Sequence, residues 1–344
     1  MKILDAAGLY DGSGYLDFKY IMGKGYPYTI IISLRGGGKT FGILDWCLSE
    51  DQYFIYFRRN KNALEIVTDP RYHIFKAINR IRGRNITPSL EKGIIGHFSE
   101  TQEDETKEIG LAASLSTFGG IRSISAEDIM IEIFDEFIPQ AEERRTYDLF
   151  SAWVHADESI TRNRVVDGLP EPRRVLLANT DRIHGDILAG YGVIDCFYEM
   201  QESEIEIMEF SQDILLVFPR SLKLAEAKED TALYRTTQGT EFHDVAIGNR
   251  FKIEDRINVA KKPLREFVPV SLIDGICIYR HKNNGSYYIT TKVSGSPASY
   301  DSTDADRRRF LRASSGLWTA YLRKKVYFEN LRCQNVFMRI YKLI

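Results

Sequence analysis

Ser33-Leu34-Arg35-Gly36-Gly37-Gly38-Lys39-Thr40 lies between the β-branched run Tyr28–Ser33 and an apolar stretch from Phe41 to Leu48. The spacing is that of a phosphate-binding turn, departing from the usual pattern only at its first glycine, here Ser33. Glycines lack the Cβ that would keep successive backbone N–H groups from converging on phosphate oxygens. The N-terminus of the helix that follows adds partial positive charge. In such a turn Arg35, Gly36, Gly37, Gly38, Lys39 and Thr40 form the cradle. Lys39 reaches the β- and γ-phosphates of ATP, and the Thr40 hydroxyl meets Mg2+. The competing reading is a glycine-rich turn beside an unrelated lysine, but it does not explain strand, turn, Gly-Lys-Thr and helix in that order.

Hydrolysis needs carboxylates as well. Asp135 closes the apolar run Ile129–Phe134, where a P-loop enzyme holds its Mg2+ carboxylate. Glu136 follows it and leaves the strand tip in another direction, so it suits a general base on the attacking water. The 96-residue separation of Lys39 and Asp135 leaves room for an extra strand between them, as in ATPases with an inserted central strand and a catalytic glutamate. Asn179 ends the run Arg174–Ala178 and can donate to the γ-phosphate or the water; a plain strand-end cap accounts for it equally well. Arg162 and Arg164, in Thr161-Arg-Asn-Arg164, are either surface charges or arginines offered to a neighbour's γ-phosphate.

A second chemistry lies at the far end. Residues 256–344 carry 17 Lys and Arg against 6 Asp and Glu, a net of +11, whereas residues 1–255 carry 29 against 42, a net of −13. The basic residues include Arg307, Arg308, Arg309, Arg312, Arg323, Lys324, Lys325, Arg332, Arg339 and Lys342. They are interleaved with Phe310, Trp318, Tyr321, Tyr327 and Phe328, as on a surface that contacts nucleic-acid phosphates. A solvated helix face or a dock for an acidic neighbour is the other reading. Asp274, Asp301, Asp304 and Asp306 are the carboxylates a nuclease would need, but they fall in a turn, a loop and a helix cap and make a poor two-metal cluster.

The elements that must position these residues follow from the pattern. Apolar runs at Tyr28–Ser33, Tyr53–Phe57, Ile94–Phe98, Ile129–Phe134 and Arg174–Ala178, separated by helical segments, predict an α/β sheet covered on both faces. The acidic stretch Glu100–Glu108 reads as a solvated loop. Ile214–Phe218 precedes a helical connector over 223–237. Val268–Ile273 and Ile276–Tyr279 flank Asp274-Gly275, a hairpin signal. The tail from Thr303 reads as mostly helical, with a capping box at Thr303 and Asp306. The 344 residues suggest about two domains. Cys47, Cys196, Cys277 and Cys333 are too dispersed for a metal or redox pair and suit a reducing compartment. The N-terminus has no secretory pattern, and no apolar run approaches the ~20 residues of a membrane span, so a soluble, intracellular protein is expected.

Leu34-Arg-Gly-Gly-Gly-Lys-Thr40, Phe54-Ile-Tyr-Phe-Arg-Arg59, Phe134-Asp-Glu-Phe-Ile138 and Arg162-Asn-Arg164 together resemble the DNA-packaging ATPases (encapsidation proteins) of small podophages. Gly239-Thr-Glu-Phe242 and Gly248-Asn-Arg-Phe251 continue the resemblance, which weakens toward the C-terminus. It implies a P-loop ATPase domain over 1–205 with a central, mostly parallel sheet and its conserved-type glutamate, a small linker domain over 206–255, and a ribonuclease-H-like domain over 256–344 that has lost its nuclease residues. It further implies a homo-oligomeric ring, expected as a pentamer, that moves double-stranded DNA through the portal of a procapsid in the host cytoplasm, with a packaging RNA as a further partner and no membrane. Arg162 matches the family's trans-acting arginine finger, while Arg122 and Lys61 fall at the positions of other trans-acting basic residues. Two other functions stay open on sequence: a terminase-like protein with an active C-terminal nuclease, and a non-motor P-loop protein in which ATP only regulates assembly.

Overall fold

The computed structural model describes residues 1–120, 127–139, 147–162, 164, 166–180, 183, 185–251, 258–301 and 303–342. The chain divides into two compact units, Met1–Asp181 with Cys196–Phe251, and Arg182–Asp195 with Lys252–Ile344.

The first unit is built on β1 (Lys2–Ile3), β2 (Tyr28–Ser33), β3 (Phe54–Arg58), β4 (Ile86–Glu91), β5 (Ile95–Gln102), β6 (Glu105–Ser114), β7 (Ile131–Asp135), β8 (Arg173–Asn179), β9 (Ile207–Glu209) and β10 (Ile214–Val217). Among the described residues these form one ten-stranded sheet in the order β1-β9-β10-β2-β8-β7-β3-β6-β5-β4. The run from β10 to β6 is parallel throughout, and antiparallel pairs close each edge. This is the mostly parallel α/β sheet expected from the sequence. Its central strands are buried along all but their end residues, as strands covered on both faces are. The inserted strand is β8: it follows β7 in the chain but lies between β2 and β7 in the sheet.

One face packs Ile31, Ile43, Leu44, Cys47, Tyr56, Ile133 and Leu177 into a core beneath the helix Lys39–Ser49. Trp153, fully buried on the helix Leu149–Thr161, meets Phe57 edge-on and stacks on Phe134.

The acidic stretch Glu100–Glu108 is not a loop. It is the far end of the β5–β6 hairpin, turned at Glu103 and Asp104 with φ of 45° and 70°. Both central residues adopt the left-handed conformation of a two-residue hairpin turn. The charges read as loop because this end of the hairpin projects into solvent, whereas Ile109–Ser114 are buried. Residues 206–255, set apart in the sequence as a linker domain, supply β9 and β10 of the main sheet and then the helices Leu222–Glu229, Ala232–Thr236 and Glu241–Gly248. Gly248-Asn-Arg-Phe251 acts here as a latch. Asn249 is buried with φ of 47° and caps the last helix; its amide donates to the Pro219 carbonyl (2.8 Å) and Thr180 donates to its Oδ1. Phe251 stacks on Phe218 at 5.2 Å.

A charged cluster sits beneath the sheet. Glu132 on β7 and Arg174 on β8 are buried, with Asp157 from the helix Leu149–Thr161. Arg174 donates to Asp157 through Nε (2.9 Å) and Nη2 (2.7 Å), and Tyr28 Oη donates to the other Asp157 oxygen at 2.6 Å. Neither Glu132 oxygen receives a hydrogen bond, and Arg174 Nε stays 3.7 Å away. Burial first, then the Asp157 charge, holds the Glu132 carboxyl well above the usual carboxylate range. A neutral Glu132 resolves one of the two orphaned oxygens, since its O–H then has the Asp157 carboxylate as acceptor. The stability this neutral acid contributes is complete below the unfolded glutamate pKa of about 4.3 and is lost as pH rises toward the higher folded value. Glu132→Gln should therefore flatten the decline in unfolding free energy from pH 5 upward, measured by urea denaturation across the range. A slope identical to that of the unsubstituted protein would mean that Glu132 is ionised when folded.

The second unit contains β11 (Phe267–Ile273), β12 (Ile276–His281), β13 (Tyr287–Thr290), β14 (Ala298–Tyr300) and β15 (Val326–Phe328), in the sheet order β14-β11-β12-β13-β15. The β11–β12 hairpin turns at Asp274-Gly275, whose φ values of 47° and 76° match the expected turn. Thr303 Oγ1 accepts from the Asp306 N–H, the first half of the expected capping box, and the Asp306 carboxylate accepts from the Asp301 N–H at 3.0 Å. The helices Asp304–Ala313, Ser315–Leu322 and Leu331–Lys342 bear out the helical tail, except that β15 interrupts it. Phe310, Leu317, Val326, Phe328 and Phe337 form the core of this unit, with Trp318, Tyr321 and Tyr341 packed against it.

Candidate functional site

The phosphate-binding turn joins β2 to the helix Lys39–Ser49, at the C-terminal ends of the parallel strands. That is where open α/β sheets bind ligands, because the helix N-termini point there. Gly36 and Gly38 have φ of 71° and 78°. A Cβ on Gly38 would also lie 2.7 Å from the Tyr15 ring, so glycine is required there both by conformation and by space.

Lys39 is buried, and four oxygens share its three N–H groups: Ser33 O (3.2 Å), Ser33 Oγ (2.9 Å), Leu34 O (3.1 Å) and Asn179 Oδ1 (3.0 Å). Ser33, the one departure from the motif, thus lends a hydroxyl to the lysine. Burial lowers the Lys39 pKa to about 8, with Lys228 and Arg35 pushing the same way against Asp135 and Glu136. The turn is a compact positive site whose lysine is held by neutral oxygens that a phosphate can replace.

Asp135 and Glu136 stand beside it. Thr40 Oγ1 donates to Asp135 Oδ2 at 2.7 Å, Tyr56 Oη donates to the same oxygen at 2.5 Å, and the Glu136 N–H donates to Asp135 Oδ1 at 2.8 Å. The paired hydroxyl and carboxylate oxygens of Thr40 and Asp135 are the hard donors Mg2+ takes, so the residues present fit that ion. Glu136 has φ of 55°, which turns its side chain away from Asp135 and toward Arg58, whose Nη2 donates to Glu136 Oε2. Arg58 Nη1 is also 3.9 Å from Asp135 Oδ2.

Tyr56 and Arg58 were not singled out in the sequence as site residues. Their signal was there: both lie on β3, which pairs with β7, and Arg58 ends that strand as Asp135 ends its own. Only the pairing of the two strands makes that signal readable.

Lys39, Thr40, Asp135, Glu136 and Asn179 are therefore brought together, while Arg35 is exposed on the rim. Arg162 lies exposed just past the helix Leu149–Thr161, with φ of 24° and its N–H on Glu158 O. Lys61 is exposed at the start of the helix Lys61–Val67, 3.8 Å from Glu65. Arg122 lies outside the described residues.

Arg164 calls for a correction. Expected as a trans-acting or DNA-contacting side chain, it is buried and donates to the Pro170 carbonyl at 3.0 Å. A guanidinium held this way shapes its own loop rather than reaching another molecule.

In the second unit Phe310 and Phe328, interleaved with the basic residues, are buried core, Trp318 and Tyr321 pack against them, and Tyr327 packs against the neighbouring cluster of Phe267, Cys277, Tyr279 and Tyr288. Helical spacing turns Phe310 and Trp318 inward and β15 does the same for Phe328, while Arg308, Arg309, Arg312, Arg323, Lys324, Lys325 and Arg332 are exposed. Asp274 is engaged rather than open to a cation: its side chain is 1% exposed and faces Arg307 Nη2 at 3.2 Å and Arg339 Nη2 at 3.7 Å. Among the described residues no group of three or more His, Cys, Asp or Glu comes together to hold a metal, and no helix is long and apolar enough to cross a membrane.

Residues 10–299 match the family described as podovirus DNA encapsidation protein (Gp16). No curated protein sequence matches the chain. Among solved structures, the bacteriophage phi29 viral genome packaging motor assembly superposes with a TM-score of 0.67 at 19% identity, covering 96% of this chain and 99% of that one. The phi28 gp11 DNA packaging motor follows with a TM-score of 0.66 at 13% identity, covering 96% and 98%. At such identities the likeness is one of fold.

Proposed function

This chain belongs to the podovirus DNA encapsidation protein family, and on that premise we propose that its P-loop site hydrolyses ATP to drive double-stranded DNA into a procapsid. The function is that of a DNA-packaging motor. The observation that carries the ATP reading is the convergence of Lys39, Asn179, Thr40, Asp135 and Glu136 at one end of the parallel strands.

The roles follow from the chemistry. Lys39 exchanges loop oxygens for the β- and γ-phosphates, in a cradle of backbone N–H groups from Arg35 through Thr40. Asn179, relieved of Lys39, is free to orient the γ-phosphate or the water. Thr40 and Asp135 would hold Mg2+, which when bound neutralises phosphate charge. Glu136 takes the proton of the attacking water, the new oxygen–phosphorus bond forms, and the bond to the bridging oxygen breaks with its electron pair leaving on ADP. Arg162, exposed at the end of the helix Leu149–Thr161, is assigned to the γ-phosphate of a neighbouring subunit. Lys61 and Arg122 are assigned to the same intersubunit contacts, in a ring proposed as a pentamer.

We assign the exposed cations of 256–344 to DNA phosphates or the portal, and 206–255 to the connection between the nucleotide turn and that region. The site of action is the portal vertex of a capsid in the host cytoplasm, with a packaging RNA as an optional further partner. The guanidinium-clamped Asp274 favours this over an active nuclease.

The experiment is ATPase activity of the full chain with and without double-stranded DNA and empty procapsids. Stimulation by either is expected, and Lys39→Ala should abolish hydrolysis and nucleotide binding together. No stimulation by DNA or procapsids would count against a motor.

A further inference from the structure

One cation at the nucleotide turn has no place in the chemistry above. The helix Leu222–Glu229 leaves the end of β10 through Ser221, whose Oγ accepts from the Leu224 N–H and donates to the Gly14 carbonyl at 2.7 Å. Lys223 Nζ donates to Gly12 O at 2.6 Å, which fixes the first turn of the helix against the segment around Tyr15. The last turn then carries Lys228 over the phosphate-binding turn. Its Nζ donates to the Arg35 carbonyl, and Nζ and Cε lie 3.7 Å from where a Cβ on Gly36 would stand.

Lys228 is half-buried, and burial lowers its pKa. Its charge is also one of those that depress Lys39. An ammonium held by one neutral carbonyl and lying 6.0 Å from the centroid of the Tyr234 ring gains little for that cost; an ionised phosphate oxygen in place of the carbonyl would turn an ion–dipole bond into an ion pair. Lys39 shows the same pattern, an ammonium held on loop carbonyls beside glycines that leave room for an anion.

We infer that Lys228 is a nucleotide-contacting residue, whose ammonium leaves the Arg35 carbonyl for the terminal phosphate of a bound nucleoside triphosphate and returns once that phosphate is gone. The inference rests on the nucleotide-site reading above and deepens it. It makes the helix Leu222–Glu229 responsive to the nucleotide state, because its last turn carries one of the ligands.

Affinities of Mg2+-AMP-PNP and Mg2+-ADP should be measured for the full chain unsubstituted and as Lys228→Met, Lys228→Arg and Lys39→Ala. Lys228→Met should weaken AMP-PNP about tenfold, the worth of one hydrogen bond to a charged group. It should leave ADP within about twofold, and Lys228→Arg should restore most of the loss. An unchanged AMP-PNP affinity in Lys228→Met, or equal losses for both nucleotides, overturns the inference while Lys39→Ala still reports on the site. If the unsubstituted chain binds neither nucleotide, the site reading and the inference fall together.

Discussion

Replacing Glu136 by glutamine is expected to lower ATP hydrolysis about 10²–10⁴-fold while ATP binding stays within a small factor of the original. Glutamine keeps the size and one hydrogen-bonding oxygen of the side chain but cannot accept a proton from water. The geometry argues that Glu136 is held for such a task. Its φ of 55° is one a side-chain-bearing residue adopts at some cost. The strand end maintains it, through the Glu136 N–H on Asp135 and the Phe137 N–H on the Leu177 carbonyl of β8. Arg58 then orients the carboxylate. Steady-state hydrolysis alongside AMP-PNP binding checks the prediction, and undiminished turnover would remove Glu136 from the chemistry. The same variant also tests Arg162. Inactive Glu136→Gln and Arg162→Ala proteins, mixed in one assembly, should partly restore hydrolysis if the arginine acts on a neighbour's site.

Arg174→Met should be the most destabilising single change in the first unit, at about 3–5 kcal/mol, the range for removing one partner of a buried ion pair. The substitution keeps much of the apolar bulk but strips Asp157 of two charged donors and leaves it buried beside Glu132. It also ends the contact of the guanidinium with the Tyr28 ring, 4.8 Å from its centroid. Because Tyr28, Glu132 and Arg174 stand on three adjacent strands, the damage should spread to the strand that feeds the phosphate-binding turn. Denaturant unfolding measures it. Adding Glu132→Gln and Asp157→Asn to the same chain should recover most of the loss, because the uncompensated Asp157 charge, and any charge Glu132 could take up beside it, is then gone. A cost below about 1 kcal/mol would mean that water reaches the cluster.

The central strands and the nucleotide turn were legible because their signals are local. A β-branched run ending in glycines and Lys-Thr needs no distant partner to be recognised, and Asp135-Glu136 closes its run just as visibly. What misled was charge and aromatic content read without a face. Glu103 and Asp104 look like loop, yet they are the turn of a hairpin whose inner half is buried. Phe310, Trp318 and Phe328 look like nucleic-acid contacts, yet the helices and β15 turn them inward. Arg164 sits two positions from Arg162 and has the opposite fate, one buried and one exposed.

By itself the sequence determined which atoms could do chemistry: a lysine, a threonine and two carboxylates, each at the end of a segment with its own periodicity. It also determined that acidic and basic residues would separate along the chain. Only the tertiary structure decided which of these atoms meet. Inserting β8 between β2 and β7 brings Asn179 onto Lys39, pairing β3 with β7 brings Tyr56 and Arg58 onto the carboxylates, and the return of the chain through β10 brings Lys228 to Arg35. The physical reason is that hydrogen bonds and Coulomb forces act over a few ångströms between side chains tens to nearly two hundred residues apart, and strand order, which local propensity does not encode, sets those distances.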